Sequence, residues 1–177
     1  MGLVLAIYIA LGANQSAQYN GGTVSPAETF LLAIVQLQQS GVDLVGASNL
    51  WQSPAWPDPN AQPSYINAVI KVRTELEPIE LLALLKSTEA AFGRMDAERN
   101  APRPLDLDIL DYNGQVLENK ALILPHSRML DRPFVLFPLA EVAPSWTDPI
   151  KKRAISEWIA RLKLADVAPM QRLGVLL

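Results

Sequence analysis

The sequence predicts an α+β domain with elements in the order β-α-β-β-α-β, followed by a hairpin strand and C-terminal helices. Three observations carry this reading. Residues 3–11 are a continuous apolar run, as a strand covered on both faces requires. Two segments of helix length each carry a proline at the start, Pro26 and Pro78, and a glycine just past the end, Gly41 and Gly93. Between and after them lie segments of strand length with alternating side chains.

The first strand is expected over residues 3–11, ending at Gly12-Ala13-Asn14. Ser25-Pro26-Ala27-Glu28 is a capping box, so a helix should run from there to about Ser40, burying Phe30, Ile34 and Leu37. A second strand is expected at about Leu44 to Gln52. Pro54, Pro57, Pro59 and Pro63 then make residues 53–63 an extended, stiff loop, in which Trp56 is suited to stack on a planar ligand or simply belongs to a surface connection. Tyr65 to Thr74 reads as a third strand, with Tyr65, Asn67, Val69 and Lys71 on one face. The second helix spans about Pro78 to Phe92, and a polar loop over 94–102 holds Arg94 and Arg99. A fourth strand contains Asp106 and Asp108. Asn113-Gly114 signals a tight hairpin returning through Val116 and Leu117. A short helix is expected at about Pro133 to Glu141 and an amphipathic one at about Ile150 to Leu164. This order is the ferredoxin-like βαββαβ arrangement with a mainly antiparallel sheet and both long helices on one face. No repeat or linker interrupts it, so residues 1–177 read as one domain.

Composition narrows the function. Half of the 177 residues are hydrophobic, enough to build a core. There is no cysteine and one histidine, His126, which removes disulfides, thiolate nucleophiles and multi-histidine zinc sites. The net charge of −3 is unevenly placed. No lysine or arginine precedes Lys71, whereas nine lie between Lys71 and Arg132, which puts the anion-binding capacity in the second half. That charge is too small for a duplex-DNA binder, and no aromatic RNA-binding strand signature is present. The apolar start lacks a positive flank and is too short to span a membrane, which points to a cytoplasmic protein. Phosphate-loop, dinucleotide and nucleophile-elbow motifs are all missing.

The chemistry concentrates in Arg103-Pro104-Leu105-Asp106-Leu107-Asp108-Ile109. Alternation points Asp106 and Asp108 to one face and the apolar residues to the other, with the two Cα atoms roughly 6.5–7 Å apart. Two adjacent carboxylates repel unless a cation lies between them, and Mg²⁺ shared with a substrate phosphate suits oxygen donors. An Asp-x-Asp pair also fits a solvated strand face, and here Arg103 beside it favours the metal–phosphate reading. His126 can donate to a phosphate oxygen or sit on the surface as an ordinary histidine. Arg132 suits phosphate through its planar fork, or a nearby carboxylate. Arg94 and Arg99 belong either to a solvated turn or to a loop that closes over a nucleotide.

Several segments together resemble the 6-hydroxymethyl-7,8-dihydropterin pyrophosphokinase family of the folate pathway. These are Gly12-Ala13-Asn14, Tyr65-Ile66-Asn67-Ala68-Val69, Glu89 with Phe92-Gly93-Arg94, Pro102 to Ile109, Pro125-His126 and Arg132-Pro133-Phe134-Val135-Leu136. They occur in the family's order at compatible spacing over about residues 3–145; residues 150–177 match no motif and read as a packing helix and tail. The resemblance implies an ATP-dependent diphosphotransferase that moves pyrophosphate from ATP to the pterin hydroxymethyl group and releases AMP. It implies two Mg²⁺ ions on Asp106 and Asp108, and catalytic roles for Arg94 and Arg103 beside them. Glu89, Arg103, Ile109, His126 and Arg132 would form the ATP site. Ser53 and Pro54 would offer backbone contacts to the pterin, Tyr65 would line its pocket, Asn67 would bind its edge and Phe134 would stack on it. The expected partners are these small molecules alone, with no nucleic acid or membrane, and the protein would act as a monomer.

One segment departs from the family pattern. Arg99-Asn100-Ala101-Pro102-Arg103 stands where Arg-Trp-Gly-Pro-Arg is common, and Asp96 lies near a usual arginine position. Trp56 is the expected substitute stacking surface. The alternative is a pterin- and nucleotide-binding relative with impaired turnover.

Overall fold

The computed structural model describes residues 6–55, 60, 62–94 and 101–177. The chain forms β1 (Ile7–Ala13), β2 (Ala17–Tyr19), β3 (Gly22–Val24), α1 (Pro26–Gln39), β4 (Asp43–Ala47), β5 (Asn49–Ser53), β6 (Tyr65–Arg73), α2 (Pro78–Ala91) and β7 (Asp106–Tyr112). Then come β8 (Leu117–Glu118), β9 (Ile123–Leu124), a 3₁₀ turn (Met129–Asp131), α3 (Pro133–Val142), α4 (Ile155–Ile159), α5 (Leu164–Val167) and β10 (Gln171–Val175). The central sheet has the order β10-β5-β6-β1-β7, and β4 also pairs with β6. Every pairing of these strands is antiparallel, as the sequence predicts for a βαββαβ unit.

The apolar run of β1 is explained by burial on both faces. Ile7, Ile9, Leu11 and Ala13 enter the core beneath α1 and α2, with Phe30, Leu37, Leu81 and Leu85. Ala6, Tyr8 and Ala10 face a second core with Val135, Leu136, Leu139 and Trp146. The two long helices thus share one face, while α3 and α4 cover the other. The capping box at α1 is made: Ser25 N donates to Glu28 Oε2 at 2.8 Å, and Glu28 N donates to Ser25 Oγ at 3.4 Å.

Four sequence expectations are corrected. The predicted second strand is split at Ser48. This buried serine exchanges bonds with Val69: its N donates to Val69 O at 2.9 Å, and its Oγ accepts from Val69 N at 2.9 Å. The side chain thereby substitutes for a ladder group, and β4 and β5 pair with opposite halves of β6. The Asn113-Gly114 turn forms, with φ of 55° and 70°, but the returning strand β8 pairs with β9, not β7. The β7 edge is occupied there by the next loop, because His126 N donates to Leu110 O at 2.8 Å.

The predicted helix over 150–164 shrinks to α4. Asp148 organises the preceding turn, accepting from Ile150 N at 2.9 Å through Oδ1, and Thr147 bridges to Ala154. The tail then adds β10 to the free edge of β5, fastened by Arg172 Nε to Glu141 Oε1 at 3.0 Å. Sequence reading also passed over the β2–β3 hairpin, although Asn20-Gly21 has the same left-handed signature, with φ of 48° and 79°. No helix among the described residues is long and apolar enough to cross a membrane.

Candidate active site

Strands β6, β1 and β7 align Asn67, Gly12 and Asp106 side by side, because Gly12 is the register partner of both neighbours. All three lie on the α3 face. Asp108 follows on the same face of β7, as alternation predicts. A bulge opposite Tyr8/Ile9 then interrupts the alternation, so that Asp111 also reaches this side of the sheet and accepts from Trp146 Nε1 at 2.8 Å.

Asp106 is surrounded by cations. Arg94 Nη1 bonds its Oδ1, and Arg103 Nη1 donates to its Oδ2 at 3.0 Å. Burial opposes ionisation of Asp106, but Arg94, Arg103 and Lys86 outweigh it and hold the carboxyl below the usual carboxylate range. Arg94 reaches this place because Gly93, at φ +87°, reverses the chain after α2. It also pairs with Glu89, whose side chain is only 2% exposed. Glu89 accepts from Leu107 N at 2.6 Å and from Lys86 Nζ at 3.0 and 3.1 Å. Burial raises the Glu89 carboxyl; the Leu107 N–H, Lys86 and Arg94 act in the opposite direction.

His126 Nε2 lies 3.8 Å from Asp108 Oδ2, while Nδ1 accepts from Arg128 N at 3.2 Å. That bond assigns the proton of the neutral ring to Nε2, facing Asp108. Burial keeps the His126 pKa below its ordinary value, with Arg132 and Arg128 acting in the same sense and Asp108 against it. Arg132 lies over the Phe134 ring at 5.6 Å, at the start of α3.

Two strands away, the Asn67 side chain is held by its amide nitrogen, which donates to Ser53 Oγ at 3.0 Å, Trp51 O at 3.2 Å and Tyr65 O at 3.4 Å. Its Oδ1 lies on the Gly12 side. The Tyr65 hydroxyl is raised by burial, against the field of Arg103, which ties this group to the Asp106 cluster. Ser53 is buried and Pro54 partly exposed beside it. Ile109 points into the helix-side core, so only its backbone borders the site.

Asn14 and Lys86 received no role from the sequence. Asn14 Oδ1 accepts from Arg103 N at 2.8 Å, and Asn14 N donates to Arg103 O at 3.1 Å. Its Nδ2 donates to Gln62 Oε1 at 3.1 Å and to Pro63 O at 3.3 Å. It therefore pins the acidic strand's entry to the loop that leads into β6. An asparagine just past a central strand was the available signal for the first, and a lysine one helical turn before Glu89 for the second. Trp56, Asp96, Arg99 and Asn100 lie outside the described residues, and so do the expectations placed on them.

Two carboxylates on one strand face, with convergent arginines and a histidine, form the charge layout of a phosphoryl-transfer domain. The chain belongs to the 7,8-dihydro-6-hydroxymethylpterin-pyrophosphokinase (HPPK) family, whose model matches residues 8–144. It is 39% identical over 152 residues to the 2-amino-4-hydroxy-6-hydroxymethyldihydropteridine pyrophosphokinase of Synechocystis, covering 85% of this chain and 77% of that one. The Haemophilus influenzae protein of the same name is 40% identical over 140 residues, covering 79% and 82%. A crystal structure of Plasmodium falciparum HPPK-DHPS with pteroate superposes with a TM-score of 0.67 at 12% identity, a likeness of fold. The match takes in 95% of this chain and 46% of that longer one.

Proposed function

We propose that this chain transfers pyrophosphate from ATP to the hydroxymethyl group of 6-hydroxymethyl-7,8-dihydropterin and releases AMP. The observation that carries the reading is the shared face of Asn67, Gly12 and Asp106, with an amide at one side and a cation-flanked carboxylate at the other. In this reaction the hydroxymethyl oxygen bonds to the β-phosphorus, the bond from that phosphorus to the α–β bridging oxygen breaks, and AMP leaves with the bridging oxygen. The proton of the substrate hydroxyl passes to solvent water.

The donor set suits Mg²⁺: two carboxylates and no sulfur or clustered imidazole, which leaves positions for phosphate oxygens and water. Asp106 and Asp108 would hold it, as two ions in the fullest form of the proposal, and the metal supplies charge neutralisation and activation of the hydroxyl. The protein groups position the reactants. Arg94 and Arg103 are within reach of phosphates that arrive at Asp106, and their charge favours the negative charge that develops there. Glu89 anchors Arg94 from beneath. His126 offers its Nε2 proton, and Arg132 a guanidinium fork, to the remaining phosphate oxygens. The backbone at Ile109 borders the nucleotide. Asn67 Oδ1 accepts from a ring N–H, because its amide nitrogen is already committed to Ser53, Trp51 and Tyr65. Phe134 stacks on the ring, Tyr65 walls the pocket, and the Ser53-Pro54 backbone completes the edge. A cytoplasmic monomer meeting both substrates from solution is the setting we propose.

The test is a turnover assay with ATP, Mg²⁺ and the pterin, with the nucleotide products separated. Pterin-dependent AMP supports the reading, ADP replaces it with ordinary kinase chemistry, and no nucleotide product rejects it.

A further inference from the structure

We infer that Gly12 sets the passage for the pterin, and that its missing side chain is what lets one substrate touch Asn67 and present its hydroxyl at Asp106. The inference rests on the function proposed above. Gly12 is paired to Asn67 on one side and to Asp106 on the other. Adjacent strands are about 4.8 Å apart, so the two functional residues stand about 10 Å apart with the glycine midway. The point where a Gly12 side chain would begin is 3.9 Å from both Asn67 Oδ1 and Asp106 Cβ, so a ligand that touches both residues passes over the Gly12 backbone.

Folding supplies no reason for glycine at this position. Gly12 lies inside the β1 ladder in ordinary strand conformation, unlike the left-handed Gly41 and Gly93, so its backbone does not require a residue without Cβ. Packing does not require it either. A Cβ built there would lie 3.9 Å from Asn67 Oδ1 and 3.9 Å from Asp106 Cβ, which is comfortable contact on both sides. A glycine in a strand interior also costs about 0.5–1 kcal/mol relative to alanine. What a side chain would do is fill the bay between the pterin-edge amide and the carboxylate. Close approach of a ligand to the backbone remains as the use of this glycine.

Gly12→Ala and Gly12→Val test this by titrating each protein with 6-hydroxymethyl-7,8-dihydropterin in the presence of Mg²⁺ and α,β-methylene-ATP. Nucleotide affinity and thermal unfolding are measured alongside. Alanine should weaken pterin binding about tenfold and valine about a hundredfold, the range one or two methyl groups command in a shaped pocket. Nucleotide affinity should stay within about twofold of the unaltered protein, and the alanine variant should unfold at the same temperature or higher. The inference is overturned if Gly12→Val binds the pterin as the unaltered protein does, or if both variants lose nucleotide and pterin in parallel. A chain with the natural glycine that binds no pterin at all would sink the proposed function together with this assignment.

Discussion

The two ends of β7 hold aspartates on the same side of the sheet in opposite electrostatic settings. At the N-terminal end Asp106 meets the guanidiniums of Arg94 and Arg103, which hold its carboxyl below the usual range. At the C-terminal end Asp111, 3% exposed, accepts from two neutral donors, Trp146 Nε1 at 2.8 Å and Gly114 N at 2.7 Å. Burial raises its carboxyl, and Asp148 adds to the rise. One residue type on one strand serves two ends. Full charges surround Asp106, whereas dipoles lock Asp111 into the packing of the α3 layer.

Removing each carboxylate in turn separates the two settings most strongly. Asp106→Ala should reduce AMP formation by about 10³-fold or more, the scale of losing a principal charge-stabilising group. Asp111→Ala should leave turnover per folded molecule unchanged. It orphans the buried Trp146 Nε1–H and frees the exposed Gly114 N–H, so urea unfolding should report a loss of about 1–3 kcal/mol, the cost of the one buried group. If the activity effects were reversed, the division of roles would be wrong.

Glu89→Gln comes next. It keeps an acceptor for Leu107 N but removes the buried charge that Lys86 and Arg94 share. Turnover should fall about 10²-fold, with kcat affected more than KM, as for loss of an oriented charge. Asn14→Ala should cost about 1–3 kcal/mol in unfolding, by orphaning Arg103 N and freeing the entry to β7.

The smallest effect separates the two aspartates by sign. A carboxyl lowered on folding contributes stability above its unfolded pKa and loses it as pH falls through the folded value; a raised one does the reverse. The stability difference between the unaltered protein and Asp106→Ala should therefore shrink between pH 7 and the acid range. The difference for Asp111→Ala should grow over the same interval. Paired urea titrations at two pH values check both directions.

Legibility in the sequence followed the range of the interaction. The Ser25–Glu28 cap, the two-sided β1 run and the Asp106/Asp108 alternation depend on near neighbours, and the structure carries all three. Asp106, Asp108, Arg94, Arg103 and His126 are legible as motif residues, and the folded sheet brings them within contact of one another. Asn14 escaped because its partners, Arg103, Gln62 and Pro63, are brought to it only by the closed sheet. The split at Ser48 escaped because a side chain replaces a backbone bond there. The strand at Gln171–Val175 escaped because its pairing needs the distant edge of β5, and Gly174 breaks its alternation at a register shift. Residues 150–154 carry helical spacing, but Asp148 and the left-handed Lys152, at φ 56°, turn the chain before a helix can start.

The bond from Leu107 N to Glu89 has a consequence outside catalysis. β7 is the outer strand of the sheet, and an outer strand with open amides and carbonyls invites a foreign strand to zip alongside it. Here Glu89 stoppers the amide of Leu107, and the backbone of His126 stoppers the carbonyl of Leu110. A side chain and a loop thus cover two polar groups on the rim of the sheet. A variant that lost the Glu89 carboxylate would leave the Leu107 amide open on this edge, which gives solubility its own stake in the same side chain.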